Sequence, residues 1–197
     1  MQFKPFEPGI EVFGASIDAI VDAFKLFPSI ALKRLVNAGI GSMRGKDVVV
    51  NRDTWYPQAN WLSVFEGIAS EVGPRALVQI GQHVPKHAPF PPSINDIHGA
   101  MGSMDAAYHM NHRKGGRVMF DPATGQMLSG IGNYGYAPVP RERRIISVCE
   151  NPYPCDFDRG IITALAARFE RGSRVTHDDS APCRKNGADS CKFIIAW

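Results

Sequence analysis

Residues 183–197 read CRKNGADSCKFIIAW, and this stretch carries the clearest local pattern in the chain. Cys183 and Cys191 frame a polar turn in which Gly187 can take a positive φ, so we predict a hairpin that brings the two thiols together. A run of β-favouring residues, 192–197, follows as a closing strand. Thiolates held in this way suit Zn²⁺, which prefers sulfur and nitrogen ligands in a tetrahedral shell.

One pair of thiols does not complete a metal site, so further ligands must come from elsewhere. All four cysteines lie in the last fifty residues, and a histidine and an aspartate precede the first paired cysteine. The candidate ligands are Cys149, Cys155, His177, Asp179, Cys183 and Cys191. The alternative is that the cysteines are buried thiols that pack the sheet as small hydrophobic side chains.

Length and composition indicate one ordinary globular domain. The chain has 197 residues, of which 44% are hydrophobic and 21% charged, and its net charge is +3. Its basic clusters are short, which disfavours nucleic-acid binding. It has no apolar run of about 20 residues, so we expect no membrane span. Residues 1–9 lack the basic-then-apolar plan of a secretory signal, so we expect a cytoplasmic protein with reduced thiols.

Hydrophobic spacing predicts helices in the first half of the chain and strands in the second. The predicted helices are 16–37, capped by Ser16 and bent at Pro28, then 60–73, 75–83, 93–112 and 160–171, the last capped by Asp156 or Asp158. The predicted strands are 117–120, 127–136, 145–149, a segment at Val175 and 192–197, and residues 46–51 are predicted to be a short strand or a linker. This order indicates an α+β fold, with helices packed on a small antiparallel sheet. We place an N-terminal helical extension at 1–50 and a ligand-binding domain at 51–197.

Aromatic and polar side chains on the predicted helices and strands suggest an apolar pocket with polar anchors. The candidate pocket residues are Trp61, Phe65, Tyr108, His109, Asn111 and Tyr134. His109 and His112 are three residues apart, a spacing compatible with metal or heme ligation, and His98 lies near them in sequence. The alternative is a helix end whose dipole favours histidines. The glycine-rich segment 130–136 does not form a dinucleotide fingerprint.

From Cys149 to Trp197 the chain resembles the 4-vinyl reductase domain family, which is related to heme-dependent nitric-oxide-binding domains and to transport-protein-particle subunits. The resemblance rests on Cys183 and Cys191 around their polar turn, on residues 193–195 after it, and on the predicted helix that follows Cys155. It implies a fold of the transport-particle/nitric-oxide-binding class. Family members include ligand-sensing modules of aromatic-responsive transcription regulators and proteins linked to bacteriochlorophyll synthesis.

In the sensors of that family, cysteines and one carboxylate hold a zinc ion beside the small-molecule pocket. The resemblance therefore implies zinc at Cys183, Cys191 and an upstream cysteine, Cys155 or Cys149. The chain departs from the pattern at Ser180, where the sensors place an acidic ligand. Asp179 or His177 would have to take that role.

These features predict a non-enzymatic sensor or carrier that binds a small apolar or aromatic ligand and holds zinc. A tetrapyrrole-related reductase or accessory enzyme is the first alternative, with heme or another tetrapyrrole bound, although no nicotinamide or flavin motif is visible. An oligomeric assembly module is the second. A sensor of this kind would form a homodimer or signal through a partner protein.

Overall fold

The computed structural model describes residues 2–26 and 28–197, without the side chains of Pro28 and Ser29. The helices are α1 Gly14–Phe24, α2 Pro28–Asn37, α3 Gln58–Glu71, α4 Pro74–His87, α5 Ile97–Gly102, α6 Met104–Met110 and α7 Cys155–Phe169. The strands are β1 Ile10–Phe13, β2 Ser42–Arg44, β3 Asp47–Val49, β4 Trp55–Pro57, β5 His112–Lys114, β6 Arg117–Val118, β7 Phe120–Asp121, β8 Gln126–Met127, β9 Asn133–Tyr134, β10 Ala137–Pro138, β11 Arg144–Glu150, β12 Arg174–His177 and β13 Cys191–Ala196. A 3₁₀ turn, Arg184–Asn186, lies between β12 and β13.

Two antiparallel sheets organise the described chain. The first has the strand order β4-β1-β5-β6, and Val12 of β1 pairs with Tyr56 on one side and His112 on the other. The second has the order β10-β11-β13-β12, with β9 also paired to β11. Cys149 of β11 lies directly opposite Cys191 of β13. Together with the helices, these sheets confirm the predicted α+β class.

Two glycines let α4 and α7 pack with their backbones in contact. A Cβ at Gly160 would lie 2.2 Å from the carbonyl oxygen of Val78, and a Cβ at Gly81 would lie 2.2 Å from that of Phe157. Any larger side chain at either position would push the helices apart. This close crossing brings the first turns of α7 against the core, where they meet both the cysteines and the ligand cavity described below.

The N-terminal part of the chain is joined to the rest by a strand that the hydrophobic pattern did not predict. Residues 1–9 were predicted to be irregular, and β1 follows them with Ile10 and Val12 buried; Met1 lies outside the described residues. Helix α1 begins at Gly14, two residues before the predicted cap at Ser16, whose hydroxyl donates to the carbonyl of Phe13. The predicted break at Pro28 is present, since α1 ends at Phe24 and α2 begins at Pro28. The division at residue 50 stays a prediction, although β1 lies between β4 and β5 in one sheet.

Three predicted elements have different bounds in the structure. The helix predicted over 93–112 is divided into α5 and α6 at Ser103, whose backbone N–H donates to the carbonyls of Gly99 and Ala100. Helix α7 begins at Cys155, five residues before the predicted start at residue 160. The strand predicted over 127–136 is interrupted before β9, where Gly132 lies so close to β11 that a Cβ would lie 1.8 Å from the carbonyl oxygen of Glu150. No helix in the described residues is both long and apolar enough to cross a bilayer.

Candidate metal centre and ligand cavity

Four soft metal-ligand side chains meet at one end of the second sheet. They are Cys155 at the start of α7, His177 at the end of β12, Cys183 in the loop that follows, and Cys191 at the start of β13. One ligand atom from each lies within 4.8 Å of all the others. All four were among the six metal-ligand candidates. The chain therefore brings together residues 155 and 191 through β-sheet pairing and the docking of α7 against the sheet.

The spacing of the sulfur atoms matches a tetrahedral metal site. The Sγ of Cys183 lies 3.9 Å from the Sγ of Cys155 and 3.7 Å from the Sγ of Cys191. Ligands bound at about 2.3 Å in a tetrahedral zinc shell are about 3.8 Å apart. The sulfur atoms are thus spaced as a zinc ion would hold them, and all four cysteines are free of disulfides.

His177 supplies the nitrogen that this set needs. Its Nδ1 lies 2.9 Å from the Oδ1 of Asp179; its Nε2 is buried without a hydrogen bond of ordinary geometry, and the imidazole lies close enough to Cys191 to lower the pKa of that thiol. Metal-ligating histidines usually donate their second ring N–H to a carboxylate, which fixes the tautomer and the ring orientation. The carboxylate of Asp179 accepts such a bond from Nδ1 of His177. A buried ring nitrogen without a well-formed hydrogen bond is costly, and a metal ion would relieve that cost.

The electrostatics of the cluster favour a thiolate before any metal binds. A hydrogen bond from Cys155 and the nearby positive charge of Arg184 lower the pKa of Cys191, whereas the same hydrogen bond and burial raise the pKa of Cys155. Of the two thiols, Cys191 is therefore the one favoured to lose its proton first. Thiolate is the form that binds metal.

Two of the candidate ligands lie outside the cluster. Cys149 is fully buried, and its Sγ lies 3.8 Å from the hydroxyl of Ser147. Asp179 is exposed and acts on His177 rather than in the cluster itself. Ser180 donates to Asp178, which also pairs with Lys192. The acidic ligand expected from the resemblance is thus replaced by His177 in this arrangement.

A buried arginine connects the cluster to the protein interior. Arg184 donates to the Sγ of Cys191 from its backbone N, at 3.3 Å, and from its Nε, at 3.4 Å. Its guanidinium also donates to Asn151, to the carbonyl of Tyr153 at 2.8 Å, and to the carboxylate of Asp158. Both side chains of the Arg184–Asp158 pair are 0% exposed. Sequence reasoning missed this residue, because arginine inside a polar turn is typical of a solvated surface.

An apolar cavity of about 160 Å³ lies between the helices and the two sheets. Its polar wall includes Tyr108, His112, Tyr134 and Tyr153. The apolar lining includes Ile17, Ile20, Trp61, Val84, Phe90, Met104, Phe157, Ile161 and Leu165. An apolar cavity of about 150 Å³ is known to bind benzene or xenon. This cavity has the size of one aromatic ring.

Most polar groups on the cavity wall form hydrogen bonds with other groups of the protein. Tyr108 donates to the carbonyl of Ile131 at 2.6 Å, and Tyr134 donates to Asp158 at 2.5 Å. The imidazole of His112 bonds to the carbonyl of Tyr108 through Nδ1, at 2.7 Å, and to the hydroxyl of Tyr153 through Nε2, at 2.9 Å. The amide of Gln58 is fully buried beside Tyr108 and Tyr153, where its proximity to both hydroxyls lowers their pKa values against the larger, raising effect of burial.

The structure places four of the six candidate pocket residues on the cavity wall: Trp61, Tyr108, Asn111 and Tyr134. Phe65 packs behind the wall, with its ring 4.6 Å from that of Trp61. His109 is turned away and bonds through Nδ1 to the carbonyl of Asp105. Sequence reasoning missed Tyr153 and Phe157 as lining residues. They lie in the turn between Cys149 and Cys155 and in the first turn of α7, which were interpreted only in relation to the cysteines.

Solved structures define the class of this fold. The chain is similar to an H-NOX protein from S. oneidensis in the Fe(II) ligation state, with a TM-score of 0.63 and 16% identity over 93% of this chain and 95% of that one. It is also similar to an oxygen-binding H-NOX domain related to soluble guanylate cyclases, with a TM-score of 0.59 and 15% identity over 93% of both chains. No family model and no curated protein matches the sequence. The chain has the H-NOX fold, which the predicted relation to nitric-oxide-binding domains anticipated; the 4-vinyl reductase family itself stays a prediction.

The H-NOX fold raises the question of heme, and the side chains present do not fit it. His112 is the one histidine among the described residues that line the cavity, and both of its ring nitrogens are already hydrogen-bonded. Burial lowers its pKa to about 4. A histidine-ligated heme would need a free imidazole nitrogen on the cavity wall, and His112 does not offer one.

Proposed function

We propose that this chain is a sensor or carrier domain that binds a small apolar or aromatic molecule in its cavity and holds one zinc ion at its C-terminal cluster. The observation that carries the proposal is the meeting of three thiols and the imidazole of His177 within 4.8 Å. Cys155, His177, Cys183 and Cys191 would be the ligands, and Asp179 would orient His177.

Four protein ligands form a closed zinc site, which is typical of a structural metal rather than a catalytic one. Such an ion would link the start of α7 to β12, β13 and the loop between them. It supplies cross-linking and fixes the thiolates. An enzymatic role has no open metal position to support it, so a tetrapyrrole-related reductase remains the weaker alternative.

The ligand class follows from the size and lining of the cavity. A cavity of about 160 Å³ with aromatic and aliphatic walls suits a single uncharged ring. Burying a charged group there would be costly, because no Asp, Glu, Lys or Arg side chain is among the described residues that line the cavity. Heme, the second candidate, is favoured only by the fold of the similar structures.

Elemental analysis of the purified chain tests the metal. We expect about one zinc per chain, lost in Cys183→Ser and kept in Cys149→Ala, since Cys149 lies outside the cluster. Loss of zinc in both variants, or its absence from the unaltered chain, would contradict the proposed site. A Soret band that stays with the protein through gel filtration after addition of heme would favour the tetrapyrrole alternative.

Ligand binding is tested with benzene, observed by chemical-shift changes of the cavity aromatics in NMR spectra. Leu165→Trp fills the cavity and should abolish the shifts.

A sensor of this kind would pass its signal to a second copy or to a partner protein, and light scattering at high concentration tests the homodimer. A strict monomer would leave a separate signalling chain, whereas an oligomer without benzene binding would favour the assembly module.

A further inference from the structure

The metal cluster and the cavity are joined by a short chain of buried hydrogen bonds. Cys191 accepts from Nε of Arg184, the guanidinium of Arg184 donates to Oδ2 of Asp158, and Oδ1 of Asp158 accepts from the hydroxyl of Tyr134 at 2.5 Å. The Tyr134 ring is part of the cavity wall. Three hydrogen bonds therefore connect a candidate zinc ligand with a candidate ligand contact.

Each group in this series of hydrogen bonds is held by further contacts. Asn151 donates at 3.1 Å to Oδ2 of Asp158, the oxygen that also accepts from Arg184, and the side-chain oxygen of Asn151 accepts from Arg184 at 2.5 Å. Arg184 is the first in size among the fully buried side chains of the described residues. In a low-dielectric interior such bonds are strong, and the loss of one partner leaves the others unsatisfied. A displacement of Cys191 must therefore be transmitted to Arg184 and Asp158 or leave a buried charge unpaired.

A second contact runs from the same arginine to the cavity. Arg184 donates to the carbonyl of Tyr153, and the Tyr153 hydroxyl bonds to Nε2 of His112. Both Tyr153 and His112 line the cavity. The guanidinium thus holds the backbone of one wall residue directly and the hydroxyl of another through Asp158.

We propose that zinc binding and cavity occupancy are coupled through Arg184, Asp158 and Tyr134, so that each ligand raises the affinity of the other. Zinc fixes Cys191, Cys191 fixes the Arg184 guanidinium, and the guanidinium holds Asp158 where it accepts from Tyr134. A cavity wall fixed in advance loses less freedom when a ligand packs against it. This inference rests on the proposed function, since it requires both sites to bind.

The coupling is measured as the protection of zinc by benzene. Zinc-loaded protein is titrated with a competing chelator, with and without saturating benzene, and the released zinc is followed colorimetrically. We expect benzene to raise the zinc affinity of the unaltered chain about tenfold, within the usual range of coupling between sites. Reciprocity requires zinc to raise the benzene affinity by the same factor.

Two tyrosine variants separate this route from a general effect on folding. Tyr134→Phe keeps the aromatic wall and removes the hydroxyl that reaches Asp158. The factor by which benzene raises the zinc affinity should therefore fall from about ten towards one. Tyr108→Phe is the matched control, because its hydroxyl bonds to the carbonyl of Ile131 and lies off the chain of bonds. It should keep the full protection.

Each outcome decides between the inference and the proposed function. Benzene that binds without changing zinc affinity overturns the coupling and leaves both sites standing. Equal protection in all three proteins, as expected if zinc loss simply unfolds the domain, overturns the route through Tyr134. A chain that binds no zinc, or no benzene, overturns the proposed function itself.

Discussion

The protonation of His112 gives the sharpest test of the buried interior. Both of its ring nitrogens are hydrogen-bonded, and complete burial lowers its pKa from about 6.5 to about 4. An unfolded chain binds a proton at this imidazole near pH 6.5, but the folded chain resists until about pH 4. The stabilisation is therefore fully present above pH 6.5 and is lost as the pH falls towards 4.

The size of the effect follows from the two pKa values. Between about pH 7 and about pH 4.5, this one histidine should remove about 2 kcal/mol from the free energy of unfolding, at about 1.4 kcal/mol per pKa unit. We would measure urea unfolding at both pH values for the unaltered chain and for His112→Gln. The variant should lose about 2 kcal/mol less on acidification, because acid release of zinc is common to both proteins.

His109 provides a control of opposite sign. Burial lowers its pKa, but hydrogen bonds to the side chain and backbone of Asp105 outweigh burial and raise it. Its contribution is present at low pH and lost as the pH rises, so His109→Gln should lose more stability on acidification than the unaltered chain. An identical pH dependence in the unaltered chain and His112→Gln would refute the buried, hydrogen-bonded state of His112.

Two further predictions concern packing and the buried ion pair. Gly160→Ala should lower the free energy of unfolding by about 2 kcal/mol, because its methyl group would meet the Val78 carbonyl, whereas Gly172→Ala has open space and should change little. Equal melting temperatures for these two variants would contradict the close contact of α4 and α7. Asp158→Asn should cost about 3–5 kcal/mol in urea unfolding, because Arg184 keeps a buried charge without its partner, and adding Arg184→Met should recover most of the loss. A small cost for Asp158→Asn alone would show that the pair is hydrated.

The sequence was sufficient for the fold class and for a set of six candidate ligands that contains the four residues of the cluster. Helical spacing located α3 and α7, and the paired cysteines with their polar turn marked β13. Cysteine is rare enough that the clustering of all four cysteines in the last fifty residues already suggested a shared site. Which of the six candidates would meet depended on the pairing of β11, β12 and β13, which places Cys149 and Cys191 opposite each other yet leaves Cys149 outside the cluster.

The parts that could not be predicted depend on contacts distant in sequence. Nothing local in the turn around Arg184 indicates burial, since its partners Asn151 and Asp158 come from a loop and a helix about 30 residues earlier. The helix predicted over 93–112 contains apolar residues throughout, so its break at Ser103 left little trace in the spacing. β1 was missed because four residues provide too short a pattern to separate a strand from an irregular lead-in.

The position of β1 limits how the chain can be shortened. Its neighbours β4 and β5 come from residues some 45 and 100 positions later, and they meet only through it. A fragment that starts at residue 51 would therefore expose two bare strand edges, which readily recruit other chains. The fragment should therefore aggregate when it is produced alone, whereas in the intact chain β1 pairs with both edges.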